Sequence, residues 1–243
     1  MAQTKIQTAL HMLYPPRCLG CGTMVESDFG LCGPCWRDTP FIGTTICDSC
    51  GVSLPGDAGP DRLQCDDCLK TARPWGQGRA ALLYQDAARK MVLGLKHGDR
   101  QEIARPAALW MARAARDILH PKLLIAPIPL HWIRLLKRRF NQSAVLALAL
   151  ADETELSCCP DLLQRTKSTP SLDGMGKDAR FAALQNAISV HPKRRHRVVG
   201  QHVLLVDDVM TSGATFAAAT EASLAAGASD VSVLSLARVA KDA

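Results

Sequence analysis

The stretch Val203-Leu204-Leu205-Val206-Asp207-Asp208-Val209-Met210-Thr211-Ser212-Gly213-Ala214-Thr215 constrains the fold more than any other part of the chain. Four consecutive branched aliphatic residues without a polar break read as a strand covered on both faces, the habit of parallel sheets. Two carboxylates stand at its carboxyl end. A small-residue turn follows, and the alanine-rich stretch 216–226 reads as a helix closed by Gly227. Backbone N–H groups at a helix start lack intrahelical partners and carry the positive end of the dipole, so such a turn suits a phosphate. Thr211, Ser212 and Thr215 add hydroxyl donors, and Gly213 lets the backbone come close. The carboxylates would repel a phosphate and instead suit neutral hydroxyls or a divalent cation. The combination fits a sugar phosphate, with the phosphate on the loop and the ribose diol on Asp207 and Asp208. No Gly-Lys-Ser/Thr follows a glycine-rich turn, which excludes a P-loop.

Eight of the ten cysteines lie before residue 70, as the Cys-x2-Cys pairs Cys18/Cys21, Cys32/Cys35, Cys47/Cys50 and Cys65/Cys68. Two converging pairs place four thiolates at tetrahedral corners, so four pairs imply two structural zinc ions. Gly22 and Gly51 supply the turn that aims backbone amides back at the sulfurs. Sequential pairing, with Cys18, Cys21, Cys32 and Cys35 on one ion and Cys47, Cys50, Cys65 and Cys68 on the other, needs the shortest loop closures; an interleaved cross-brace stays open. Disulfides would need an oxidising compartment, for which nothing argues. Cys32-Gly33-Pro34-Cys35 has a thioredoxin-like tetrapeptide, but no βαβ pattern surrounds it. Phe29, Leu31, Trp36, Phe41 and Ile46 make a thin core, so this segment is expected to unfold on chelation. Cys158 and Cys159 lie far away and read as ordinary buried thiols near a strand.

Composition and punctuation divide the 243 residues into a cysteine-rich double zinc-ribbon domain over 1–72 and a second domain over 79–243, with Pro74, Gly76 and Gly78 between them. In the second domain, strands over 80–84, 123–126, 203–206 and 231–236 alternate with helices over 86–95, 101–119, 141–150 and 216–226. The 101–119 helix is expected to turn Leu109, Ala112 and Ala115 to one face. This order predicts an α/β fold with an open, mainly parallel sheet and ligand loops at the strand carboxyl ends. Pro127, Ile128 and Pro129 then form a rigid loop facing the same crevice as Asp207. Arg134, Lys137, Arg138, Arg139, Asn141 and Gln142 make a patch able to neutralise phosphate oxygens. His97 and His131 are the nearest candidates for a general base.

No apolar run approaches the ~20 residues of a membrane span, and no signal-like segment opens the chain, so a cytoplasmic protein is expected. The net charge of +6 tolerates anionic partners. With 5% aromatic residues, stacking platforms for single-stranded nucleic acid are few. The basic run 191–197 slightly favours a nucleic-acid partner, although such a run just before a strand is usually a solvated turn.

Val206-Asp207-Asp208-Val209 followed by Thr211-Ser212-Gly213-Ala214-Thr215 resembles the phosphoribosyl-pyrophosphate (PRPP) signature of type I phosphoribosyltransferases. Further stretches narrow the likeness: Tyr14-Pro15-Pro16-Arg17-Cys18, Pro129-Leu130-His131-Trp132, Phe140-Asn141-Gln142-Ser143, and Thr169-Pro170-Ser171 with Arg180 downstream. Together they resemble the ComF family, whose members join a zinc-ribbon segment to a phosphoribosyltransferase domain. The resemblance implies PRPP or a related sugar phosphate as ligand, bound with Mg²⁺ by Asp207, Asp208, Val209, the Thr211–Thr215 loop, Pro127, Ile128, Pro129, Arg138, Asn141 and Gln142. Lys96 or the Arg138/Arg139 patch would stabilise the pyrophosphate leaving group. It also implies a role in DNA uptake and natural transformation, with single-stranded DNA and DNA-uptake proteins as partners. A metabolic transferase with another acceptor, and a catalytically silent regulatory protein, are the alternatives. The chain departs from the family where Arg139 replaces a usual glycine, Leu172 a glutamine and Ala183 an asparagine. The last two fall where a hood over the acceptor side is expected.

Overall fold

The computed structural model describes residues 15–26, 30–57, 61–97, 100–167 and 176–240. Tyr14, Phe29 and the Thr169-Pro170-Ser171-Leu172 stretch lie outside the described residues, as do the side chains of His97, Arg134 and Lys137. The strands are β1 (Gly78–Leu83), β2 (Leu123–Pro127), β3 (Ser157–Cys158), β4 (Leu163–Arg165), β5 (Ile188–Val190), β6 (His202–Met210) and β7 (Asp230–Arg238). Five of them form a sheet in the order β1-β7-β6-β2-β3, every pair parallel, and β4 and β5 make a separate antiparallel hairpin. The helices are α1 (Gly33–Asp38), α2 (Asp66–Lys70), α3 (Asp86–His97), α4 (Ala104–Ala114), α5 (Trp132–Arg138), α6 (Gln142–Thr154), α7 (Lys177–Leu184) and α8 (Ala214–Ala225). No described helix is long and apolar enough to cross a membrane.

The unbroken apolar run of β6 is buried on both faces. Leu204 and Val206 pack with residues of α3, α4 and α6 such as Leu95, Met111 and Leu146. Val203 and Leu205 point the other way, into a core shared with Phe216 and Ala219 of α8 and, unexpectedly, with Trp75 and the cysteines Cys47, Cys50 and Cys68. Parallel sheets need both faces covered, and here part of one cover is the cysteine-rich segment itself.

That segment also closes the free edge of β1. Ile42 N–H donates to Ala81 O at 3.0 Å and Leu83 N–H to Pro40 O at 2.9 Å, which blunts an otherwise exposed edge. Gly51 has φ +71, and a Cβ there would stand 2.6 Å from the Ala80 nitrogen, so only glycine permits this contact. The buried Arg79 guanidinium clamps the junction, reaching Asp48 at 3.1 Å and Asp117 at 2.5 Å. Residues 71–78 are tied down as well: Trp75 is buried, with its indole N–H on Ser49 O at 2.6 Å.

The expected helix over 101–119 is shorter and broken. A 3₁₀ turn, Gln101–Ile103, leads into α4, which stops at Ala114, and Pro106 lies in its first turn. Its buried stripe is Ala104, Ala107, Ala108 and Met111, whereas Leu109 is 48% exposed. Small alanines let this helix sit close to β1 and α6, so the larger Leu109 is left outside. The 141–150 helix extends over Gln142–Thr154, with Asn141 as its N-cap. The basic run forms a 3₁₀ helix over Pro192–Arg197.

Candidate functional site

Strand register creates the crevice. β2 ends at Pro127, which pairs with Val206, so β6 runs on past its neighbour with Asp207 and Asp208. Both carboxylates are met by side chains from the α3 and α6 cover of the sheet. Asp207 Oδ1 accepts from Ser143 Oγ at 2.6 Å, at the start of α6, and from its neighbour's N–H at 2.9 Å. Burial pushes the Asp207 carboxyl up to about 7, and the adjacent Asp208 charge adds to the rise. Asp208 is buried and pairs with Lys96 Nζ from the end of α3 at 3.2 Å.

Past Met210 the chain turns into α8 through Gly213 at φ +83. The carbonyls of this loop are held from behind by two guanidinium groups. Arg238 Nη1 donates to Thr211 O at 2.6 Å and Met210 O at 3.2 Å, and Arg73 Nη1 donates to Ser212 O at 2.7 Å. With the carbonyls occupied, the N–H groups of Thr211, Ser212 and Gly213 find no protein acceptor among the described residues. Arg180 of α7 donates to Thr211 Oγ1 at 2.9 Å. Free amides, hydroxyls and three nearby cationic side chains at a helix start are the donor set that an anion would need.

The opposite wall is the loop after β2. Ile128 is buried and its N–H donates to Val206 O at 2.9 Å, which seats Pro127-Ile128-Pro129 against the strand end. Asn141 and Gln142 stand here but serve the scaffold. Asn141 Nδ2 donates to Ile128 O at 3.0 Å and its Oδ1 caps α6 through the Ser143 N–H at 3.1 Å. Gln142 Oε1 accepts from Arg138 at 3.2 Å, and its Nε2 donates to Lys96 O at 3.5 Å. His131 is buried and its Nδ1 accepts the Ile133 N–H at 3.4 Å, capping α5. Arg139 is exposed at the end of α5 with a left-handed backbone, φ 66. This is the position at which the ComF pattern carries glycine.

Three contributors were not among the expected site residues: Ser143, Arg73 and Arg238. Arg238 could have been sought as the polar residue ending a buried strand, and Ser143 as a polar residue in the first turn of α6.

The cysteines gather as two sequential tetrads, Cys18, Cys21, Cys32, Cys35 and Cys47, Cys50, Cys65, Cys68, with the four sulfurs of each within 4.8 Å of one another. Gly22 and Gly51 take φ +78 and +71, which completes the turns. Burial works to raise the Cys18 thiol, but N–H groups of Cys32, Cys21 and Gly20 outweigh it and bring it to about 6. Hydrogen bonds from Cys50 and then Cys68 hold Cys47 down at about 3. Hydrogen bonds between the sulfurs push the partners up, Cys35 through Cys32 and Cys68 through Cys47, as expected of thiols crowded together. Sets of four soft sulfur donors this close fit two structural zinc ions. Cys158, by contrast, is pushed up to about 12 by burial and is an inert thiol.

A double zinc ribbon domain family matches residues 9–69. The DNA utilization protein YhgH of Shigella flexneri is 30% identical over 216 residues, covering 86% of this chain and 91% of its own. Competence protein F of Haemophilus influenzae is 26% identical over 228 residues, covering 91% and 96%. Among solved structures, an allosteric regulatory enzyme of purine biosynthesis aligns with 59% of this chain and 30% of its own at a TM-score of 0.40 and 16% identity. Likeness along nearly the whole length, the ribbon match and the β1-β7-β6-β2-β3 sheet place the chain in the ComF family, whose members couple a double zinc ribbon to a phosphoribosyltransferase fold.

Proposed function

We propose that this protein binds phosphoribosyl pyrophosphate with Mg²⁺ and uses that ligand in the handling of DNA during uptake. The observation that carries the reading is the loop whose carbonyls are turned to Arg73 and Arg238, so that its amides are free, placed directly beyond an acidic pair. The 5′-phosphate would lie on Thr211, Ser212, Gly213, Ala214 and Thr215, the ribose hydroxyls on Asp207 and Asp208, and the pyrophosphate toward Pro127, Ile128 and Pro129 with Lys96, Arg138 and Arg139. Asp207 and Asp208 are hard oxygen donors of the kind that hold Mg²⁺ together with a substrate's phosphates. Binding would draw Lys96 from Asp208 to the anion, freeing that carboxylate.

Binding without transfer is the reading favoured on the acceptor side. His131 spends its acceptor nitrogen on a backbone N–H, and Asn141 and Gln142 are engaged in the scaffold. No described side chain there stands ready as a general base. The DNA role rests on the relatives, one named as a DNA utilization protein and another as a competence protein. A filter-binding assay with single-stranded DNA, with and without PRPP and Mg²⁺, tests the link. The proposal expects the ligand to change DNA affinity, and identical isotherms would remove DNA from the account.

A further inference from the structure

The second cysteine tetrad and the phosphate loop share one side chain. Arg73 is almost fully enclosed, its side chain 2% exposed, and each guanidinium nitrogen has a different partner. Nε donates to Cys68 Sγ at 3.3 Å, Nη2 to Asp67 Oδ2 at 2.7 Å, and Nη1 to Ser212 O at 2.7 Å. The first two partners belong to the ribbon around the tetrad, and the third belongs to the anion loop 139 residues further along the chain. The guanidinium also lies 5.6 Å from the Trp75 ring centroid. Trp75 is itself fixed from both sides: its N–H is on Ser49 O, between Cys47 and Cys50, and its ring meets the edge of Phe216 in the first turn of α8 at 6.2 Å. The fit is tight at the loop, since a Cβ on Gly213 would stand 3.0 Å from Trp75 and 3.1 Å from Arg73.

We infer that Arg73 is a positioning residue through which the second zinc tetrad sets the conformation of the phosphate loop. A planar fork can hold three partners in fixed relative places, which the single ammonium of lysine cannot. With zinc in the tetrad, the Cys68 sulfur is a fixed thiolate, Arg73 is anchored on it, and the Ser212 carbonyl is drawn inward so that the loop amides face the anion. Without that anchor the loop loses a charge-assisted hydrogen bond in a buried setting. Coupling of this kind is reciprocal: a ligand that orders the loop must also hold the metal more firmly. The first tetrad, with Cys21 exposed, meets the rest of the protein through Leu19, whose carbonyl accepts from Arg100 Nη2 at 3.1 Å, and has no bond to the phosphate loop among the described residues. This inference rests on the anion-site reading above, and its test keeps the two apart.

The experiment uses the zinc-loaded full chain and two variants, Arg73→Met and Arg73→Lys, with zinc content measured for each. Hydrogen exchange at the Ala214 and Ala217 amides, which donate to Ser212 Oγ and Gly213 O of the loop, needs no ligand. The expected result is exchange about tenfold or more faster in both variants while two zinc ions remain, from loss of one charge-assisted hydrogen bond. The second readout is the rate at which Cys65 and Cys68 become alkylated in the presence of a chelator, with and without PRPP and Mg²⁺. PRPP should slow alkylation in the parent and leave the variants unchanged, an effect that a merely structural arginine does not give. Unchanged loop exchange in a variant that keeps its zinc overturns the inference, and so does protection by PRPP that survives the loss of Arg73. If Arg73→Met loses zinc, Arg73→Lys alone decides by the same outcomes. Loop exchange that depends on Arg73 in a parent that binds no PRPP would uphold the latch and sink the ligand. PRPP binding with an Arg73-independent loop would do the reverse.

Discussion

Replacing Asp207 by asparagine should make the folded protein more stable while removing its ligand. The carboxyl is raised from 3.8 to about 7, by burial first and then by Asp208, so the fold prefers its protonated form. The sign follows directly. That preference supports folding fully below pH 3.8, where both states hold the proton, and is lost as pH rises toward 7, where the unfolded chain has released it. A rise of about 3 units at 1.36 kcal/mol each gives a cost of about 4 kcal/mol at pH 8 and about 2 kcal/mol at pH 5.5. Asparagine keeps an acceptor for Ser143 Oγ and carries no charge at any pH. Asp207→Asn is therefore expected to exceed the parent in stability by up to these amounts, with the gap widening between pH 5.5 and 8. Urea unfolding followed by fluorescence of the buried Trp75 measures it, with zinc saturating so that metal loss affects both proteins alike. A gap that does not vary with pH, or a variant less stable at pH 8, would refute the reasoning. A costly carboxylate kept in the fold is what a binding role for Asp207 requires.

Arg139 sits at φ 66 where the family pattern has glycine, so Arg139→Gly should stabilise the chain by about 1 kcal/mol while weakening PRPP binding, both measurable on one purified variant. Gly213→Ala meets a left-handed backbone together with Trp75 and Arg73, and should cost about 2 kcal/mol or more in urea unfolding and abolish ligand binding. Because Cys47, Cys50 and Cys68 pack in one core with Leu205, Val233 and Phe216, chelation should disturb the parallel sheet as well as the ribbon. Far-ultraviolet circular dichroism during chelation reads this, and a sheet signal untouched by complete zinc removal would contradict the shared core.

The fold was largely legible because its main signals are local. The unbroken apolar strand at 203–206, the glycines at 213 and 227 and the spacing of the cysteine pairs each need only a few neighbouring residues to be read. Loop closure favoured the sequential tetrads but left an interleaved cross-brace open, and the structure gathers the sequential sets. Where the reading failed, distant packing decided. Leu109 looked like a core residue by periodicity, but α4 turns an alanine stripe inward so that it can approach β1 and α6. Asn141 and Gln142 carried the right chemistry for phosphate, yet capping α6 and holding the Ile128 loop took their polar atoms first. Arg73 and Arg238 reach the loop from positions 139 and 27 residues away, and a lone arginine has no pattern that announces such a contact. The acidic pair and the loop were legible; the groups that orient them were not.

Calorimetric titration of PRPP with Mg²⁺ into the zinc-loaded protein, beside the double variant Asp207→Asn/Asp208→Asn, tests the central claim most directly. The account predicts micromolar binding by the parent that is lost in the double variant, although that variant remains folded and retains two zinc ions. A folded, zinc-replete parent that takes up no PRPP would contradict it.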